Sequence, residues 1–290
     1  MPVSIPEKTL EHWASIYLVY RYRSKVNLWW PTQGQDIDVQ ALPLRPGKAV
    51  QVELKTATPV SGGLGHEVRI DIHQLLRYRA KPLHQQPFYV FPLPPWSGNL
   101  STAAAGWGLP PSELAFSRAG QGKWFAQWLH VLTAAEVEAV VRPLTSTSGP
   151  RHVPLVTFTP PGGPTVWGRG AAAPPSPTRW RDFWWTLERC GLPRWPQLIR
   201  LPKRLATEVS KDSGLSYVQA LQEAADPDAR WEPADLVTLG PGVNGGFKRV
   251  KIPAFQGEDD QDSEDESVGD NRQIVFMDAD IWKSMKLPED

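Results

Sequence analysis

The chain has 290 residues with a net charge of zero, and it contains 30 prolines, 14 tryptophans and one cysteine, Cys190. This length supports one or two domains, and the prolines favour many short elements over a helical bundle. A single cysteine excludes an internal disulfide framework, a cysteine zinc site and a four-cysteine iron–sulfur cluster. No apolar run has membrane-spanning length and MPVSIPEKTLEHW lacks a secretory profile, so we expect a cytoplasmic protein without a membrane partner.

The first third of the chain predicts an alternation of helix and strand. Residues 7–23 carry apolar side chains at helical spacing after Ser4 and Pro6, which are helix-start signals. Strands are expected at 26–31, 34–44 and 49–60, where the turn RPGK joins the last two into a hairpin. A short amphipathic helix at 70–81 is closed by Pro82, and a buried strand follows at 87–94. This order predicts a mixed α/β layer.

The remaining two thirds give fewer signals. A strand is expected at 123–133, and Thr133 with Glu136 makes the capping box of a helix at 134–141. Further strands are expected at 153–158 and 272–278, and helices at 178–190 and 215–225. The Pro/Gly-rich stretch 159–178 is a linker or a long surface loop.

Charge is distributed unevenly. Of the 31 acidic residues, eight lie in 258–270 and four in the last twenty residues, so residues 1–257 carry 19 acids against 28 Lys and Arg. A basic body of this kind suits a nucleic-acid binder, and an ordinary solvated surface explains it equally well. We expect 258–270 to be a disordered acidic segment; the sharper hypothesis is that it mimics DNA on a basic groove. In 178–204 we expect the tryptophans to pack the core and the arginines to line a nucleic-acid groove.

Four charged residues stand out because they alternate with apolar neighbours on two predicted strands: Asp36, Asp38, Glu53 and Lys55. Alternate residues of a strand share a face, so a hairpin would gather three carboxylates and one ammonium at one edge of a sheet. Uncompensated, the acids would repel one another, and a magnesium ion removes that conflict. A lysine beside the metal is suited to phosphodiester hydrolysis. A salt-bridged, exposed strand face is the alternative.

Asp38 followed by Glu53-Leu54-Lys55 resembles the Asp…Glu-x-Lys signature of the PD-(D/E)XK nucleases, and Gln74-Leu-Leu-Arg-Tyr78 is similar to the Gln-x-x-x-Tyr motif of their RecB-like branch. The resemblance covers residues 7–95. It implies a restriction-endonuclease-like core of helix, mixed β-sheet and helix, with an α+β C-terminal extension. The version with an iron–sulfur cluster is excluded by the single cysteine.

The resemblance also implies roles. Magnesium, for which manganese can substitute, would be bound by Asp38, Glu53 and the backbone carbonyl of Leu54, and Lys55 would assist the attacking water. Gln74 and Glu11 are further candidate catalytic residues, and Glu11 and Asp36 are candidate metal ligands. Two of these residues have a purely structural alternative. Glu11 would then be an acid on the helix surface or a partner of a nearby arginine, and Tyr78 would be a core aromatic. Candidate nucleic-acid contacts are Tyr78, Arg77, Arg79, Arg21 and Arg23.

The predicted organisation is a nuclease core at 1–95, an α/β extension at 96–160, a Trp/Arg-rich helical region at 161–257, the acidic segment at 258–270 and a strand and tail at 271–290. We expect a magnesium-dependent nuclease that hydrolyses DNA, by analogy in bacterial genome defence or restriction. The alternative is a non-catalytic nucleic-acid-binding or scaffold subunit with a nuclease-like fold. A protein partner held by the C-terminal region and a homodimer both stay open.

Overall fold

The computed structural model describes residues 5–30, 42–43, 45–60, 65–96, 103, 105–106, 125–142, 149–160, 162–168, 174–189, 195–211, 216–229, 235–242, 246–250 and 272–283. The protein is mixed α/β and divides into two compact units. The first unit contains residues 1–23, 52–82 and 86–187, and the second contains residues 24–51, 83–85 and 188–290. Neither unit is one continuous segment, so the units do not correspond one to one with the predicted segments.

In the first unit, helix α1 (Glu7–Tyr22) precedes the end of strand β2 (Gly47–Leu54), whose last three residues pair in parallel with β5 (Phe88–Pro92). Antiparallel strands β6 (Leu129–Thr133) and β9 (Thr178–Arg179) continue from β5. A second sheet has the order β3 (Ala57–Pro59), β4 (His66–Asp71), β7 (His152–Phe158), β8 (Thr165–Trp167).

Helices complete this unit. They are α2 (Ile72–Ala80), the single turn α3 (Phe125–Trp128), α4 (Ala134–Val141) and most of α5 (Trp180–Arg189). Apolar side chains from α2, α4, β4, β5 and β7 form one core cluster, which includes Tyr78 and Tyr89. The predicted capping box of α4 is present, with Thr133 and Glu136 bonded reciprocally.

Aromatic rings make a second packed region of this unit. Trp13 and Tyr17 on α1 contact Phe125, and Tyr17 also lies 6.1 Å from Trp180, centroid to centroid. Trp180 and Trp184 are fully buried, which confirms the prediction of core packing for these two tryptophans, whereas Trp185 of the same helix is 50% exposed.

In the second unit, β10 (Leu198–Pro202) pairs antiparallel with the start of β2 and with β11 (Leu236–Pro241), which pairs with β12 (Phe247–Val250). Strands β1 (Val26–Trp29) and β13 (Arg272–Asp278) pair antiparallel. Helices α6 (Lys203–Ser210) and α7 (Tyr217–Ala224) complete its described elements. The helical description predicted for 161–257 is therefore incomplete, because this range also contains strands.

Three predictions from the first third require comment. The expected strand 49–60 is interrupted at Lys55 and Thr56, and its second half joins the other sheet as β3. Strand β4 was not predicted. The expected strand at 34–44 and the acidic segment lie outside the described residues, apart from 42–43, so the predicted hairpin stays a prediction. Among the described residues, no helix combines the length and the apolar character needed to cross a membrane.

Candidate active site

The candidate site lies at the end of strand β2, where Glu53 is the residue before the last and Lys55 directly follows the strand. All eight residues of β2 are buried, and Glu53, Val52 and Leu54 have no exposed surface. This burial contradicts the alternative of a salt-bridged, exposed strand face for Glu53, because both faces of the strand are covered. A carboxylate buried in this way costs several kcal/mol of desolvation, roughly, unless charge and hydrogen bonds compensate it.

Two side chains compensate the Glu53 carboxylate. Lys55 Nζ donates to Glu53 Oε1 at 2.6 Å, and the Tyr78 hydroxyl donates to Glu53 Oε2 at 3.0 Å. Lys55 Nζ also donates to Gln74 Oε1 at 3.0 Å. The structure thus joins Glu53, Lys55, Gln74 and Tyr78, which two separate sequence motifs had predicted, into one hydrogen-bonded network.

Within this network Lys55 is the most accessible residue, whereas Gln74 and Tyr78 are buried, with 7% and 2% of their surface exposed. The side chain of Lys55 is 16% exposed, whereas the side chain of Glu53 is completely buried. The backbone N–H of Lys55 donates to the Val90 carbonyl at 2.8 Å, which extends the β2–β5 pairing to this residue. The lysine ammonium is thus held by Glu53 and Gln74, at the end of a side chain that is partly exposed to solvent.

Helix α2 carries Gln74 and Tyr78, and Asp71 fixes where this helix begins. Asp71 Oδ1 accepts the backbone N–H groups of His73 and Gln74 at 2.8 and 3.1 Å, which is an N-cap. Asp71 Oδ2 accepts Arg151 Nε at 2.8 Å. Burial raises the pKa of Asp71, but the hydrogen bonds from Arg151, Gln74 and His73 outweigh it, so this pKa lies below its ordinary value.

Asp71 and Arg151 were not among the predicted site residues. Asp71 had a local signal, because an Asp directly before Ile-His-Gln at the start of an apolar-periodic segment is a helix-start pattern. Arg151 had none: it lies 80 residues from Asp71 in sequence, and the pairing of β4 with β7 brings the two together.

Glu11 is buried on α1 with 5% of its surface exposed, and both of its carboxylate oxygens accept Lys8 Nζ, at 3.1 and 2.8 Å. The start of α1 is attached beside the site, because the Thr56 hydroxyl donates to the Ile5 carbonyl at 2.5 Å. The described contacts of Glu11 do not include Glu53 or Lys55, so its role as a ligand stays a prediction.

The two aspartates predicted to complete the site, Asp36 and Asp38, lie outside the described residues. Among the residues that are described, no three His, Cys, Asp or Glu side chains converge in a metal-binding group. The Glu53 carboxylate and the Leu54 carbonyl are oxygen donors of the kind that magnesium accepts. The ammonium of Lys55 already places a positive charge against Glu53 Oε1. These donors fit one side of a magnesium site, and the role of Asp38 on the other side stays a prediction.

The predicted nucleic-acid arginines have different environments. Arg77 and Arg23 are exposed. Arg21 donates to the Tyr17 hydroxyl and lies 5.6 Å from the Tyr22 ring. Arg79 donates to Glu138 at 2.7 Å and to Gln86 at 2.5 Å, so its guanidinium is engaged within the fold.

Neither a family model, nor a curated protein, nor a solved structure matches this chain.

Proposed function

We propose that this protein is a magnesium-dependent nuclease that hydrolyses phosphodiester bonds in DNA. One observation carries the proposal: the Lys55 ammonium is held between Glu53 and Gln74 while Tyr78 donates to the same carboxylate. Replacing a buried ion pair by apolar residues is often neutral or stabilising, so such a pair is poorly explained by stability alone. A buried carboxylate beside a partly accessible lysine suits metal-assisted hydrolysis of a phosphodiester.

In this proposal the chain's own residues have separate tasks. Glu53, Asp38 and the Leu54 carbonyl would hold the cation, which when bound polarises the phosphate and lowers the pKa of a bound water. Lys55 would position the water and offset negative charge on the phosphate. Gln74 keeps the ammonium of Lys55 in place, and Tyr78 fixes the orientation of Glu53. Glu11 and Asp36 are proposed additional acids of the site.

The same observations support a PD-(D/E)XK assignment with a restriction-endonuclease-like core. The helix α1, the strand carrying Glu-x-Lys and the helix carrying Gln-x-x-x-Tyr occur in the order that this family uses. A cytoplasmic role in genome defence or restriction follows from that analogy alone.

A non-catalytic role has one observation in its favour. Both oxygens of Glu53 already accept hydrogen bonds, as expected for an ion pair that only stabilises the fold. In that case the protein would bind nucleic acid or scaffold a partner without cutting.

Cleavage assays separate the two roles. We expect the purified protein to cut plasmid, linear duplex or single-stranded DNA with magnesium or manganese and to stop when EDTA is added. Lys55→Ala should abolish cutting, whereas Lys203→Ala, an exposed lysine of the second unit, should not. Cutting that survives EDTA would reject the metal mechanism, and a Lys55→Ala protein as active as wild type would reject the site.

A further inference from the structure

The surface at the start of α2 has an arrangement of charges that the proposed chemistry does not use. Strand β4 ends there and the antiparallel strand β7 begins beside it, with Asp71 paired to His152 in the strand register. The Ile72 N–H donates to the Arg151 carbonyl at 2.8 Å, which ties the first residue of α2 to this edge. Arg69 and Arg151 lie at this edge, whereas Arg77 lies on α2 itself, the helix that bears Gln74.

The acids of this surface are recessed and the arginines project. The side chains of Arg69 and Arg151 are 45% and 44% exposed, whereas those of their partners Glu67 and Asp71 are 16% and 11% exposed. An approaching molecule therefore meets guanidinium groups before it meets carboxylates. The surface attracts anions although its formal charges nearly balance.

Arg151 is held so that its binding groups remain available. Its Nε donates to Asp71 Oδ2, which fixes the plane of the guanidinium and leaves the two terminal nitrogens for another acceptor. A guanidinium positioned in advance loses less side-chain entropy on binding, and its fork of donors matches a phosphate.

Arg77 extends this surface toward the site. It is exposed, lies three residues after Gln74 and so neighbours it on the helix surface. In the part of the chain that the structure describes, Arg77 has no carboxylate partner. Gln74 in turn contacts the Lys55 ammonium, so Arg77 borders the residues that would meet the scissile phosphate.

We propose that Arg151 and Arg77, with Arg69 beside them, bind the sugar–phosphate backbone of the nucleic acid next to the site. This inference rests on the proposed nuclease function for the identity of the anion. The surface holds the strand across the start of α2, and Asp71 has two tasks: it caps the helix that carries Gln74, and it orients Arg151 toward the phosphate.

Salt dependence of binding tests this surface separately from catalysis. Fluorescence polarisation with labelled DNA is measured on the Lys55→Ala protein in EDTA, over a range of salt concentrations. Each lost phosphate contact should reduce the slope of log K against log salt by about 0.9 for duplex DNA or about 0.7 for a single strand. We expect that reduction in Arg77→Gln and in Arg151→Gln, with affinity about five- to tenfold weaker near 0.1 M salt.

Two controls separate the contact from other effects. Arg151→Lys keeps the charge and should keep most of the slope. Arg249→Gln removes an exposed arginine of the second unit that donates a hydrogen bond to the Thr207 hydroxyl, and it should leave the slope unchanged.

The inference is overturned if both α2-surface variants keep the parental slope, if Arg249→Gln loses as much, or if the protein binds no nucleic acid. If the wild-type protein binds DNA but never cuts it, the proposed nuclease function is rejected. The salt-dependence slopes of the Arg77 and Arg151 variants would still show whether this surface contacts phosphates. A protein that cuts with unchanged slopes in both variants would reject the surface alone.

Discussion

The hydrogen bond from Tyr78 to Glu53 provides a direct test of the network, because Tyr78→Phe removes the hydroxyl and almost nothing else. The ring can keep its place in the core cluster, where its centroid lies 6.2 Å from that of Tyr89. The substitution removes the 3.0 Å hydrogen bond that the Tyr78 hydroxyl donates to Glu53 Oε2. The side chain of Glu53 is completely buried.

The expected cost follows from the charge on the acceptor. A hydrogen bond to a charged group contributes about 1.5–3 kcal/mol of net stability, and a buried acceptor that loses its donor pays the desolvation of that atom. We therefore expect Tyr78→Phe to lower the free energy of unfolding by about 1.5–3 kcal/mol at pH 7.

Urea unfolding followed by circular dichroism measures this difference. Tyr20→Phe is the matched control, because Tyr20 is 64% exposed on α1 and its variant should stay within about 0.5 kcal/mol of wild type. If Tyr78→Phe also stays within that range, Tyr78 is only a core aromatic and the reasoning about the buried carboxylate is wrong.

Three further predictions concern other parts of the fold. Asp71→Ala should lower the free energy of unfolding by about 0.5–2 kcal/mol at pH 7, because it removes the N-cap of α2, whereas the exposed Asp182→Ala should change it little. Folding lowers the pKa of Asp71, so its contribution to the free energy of unfolding is complete above the pKa of the unfolded chain, about 3.9. That contribution is lost as the pH falls through the pKa of the folded protein. Wild type and Asp71→Ala should therefore converge in stability when they are unfolded at decreasing pH. Gly47→Ala should destabilise the second unit by about 1–3 kcal/mol or more, because a Cβ there would overlap the Phe276 ring and the Met277 carbonyl. Gly246→Ala is the control, since a Cβ at that position meets open space. Equal urea midpoints for the two variants would contradict this prediction. Thr133→Ala should cost about 1 kcal/mol through loss of the capping box of α4, and a thermal midpoint equal to that of wild type would show that the cap is not needed.

Local signals predicted the elements that carry the site. Helical spacing gave α1 and α2, the Thr133–Glu136 pattern gave the start of α4, and the apolar run around Val90 gave β5. The resemblance to the RecB-like branch implied that Gln74 and Tyr78 would approach Glu53 and Lys55. Strand and helix periodicities add only that each pair of side chains shares a face of its own element.

Non-local pairing explains most of what the sequence did not predict. Strand β4 follows a glycine-rich stretch and is stabilised by β3 and β7, which lies more than 80 residues away. Strands β10, β11 and β12 depend on one another in the same way. The segment 123–133 was expected to be one strand, but Phe125–Trp128 forms a helical turn whose aromatic rings pack against Trp13, so tertiary packing overrides local β propensity.

The central claim is that Glu53 and Asp38 hold a divalent cation beside Lys55. Calorimetric titration of the protein with magnesium and with manganese tests it without a substrate. We predict saturable binding by wild type and by Asp182→Asn, an acid of the first unit whose side chain is 44% exposed, and loss of binding in both Glu53→Gln and Asp38→Asn. Wild-type affinity in both of these site variants would contradict the claim.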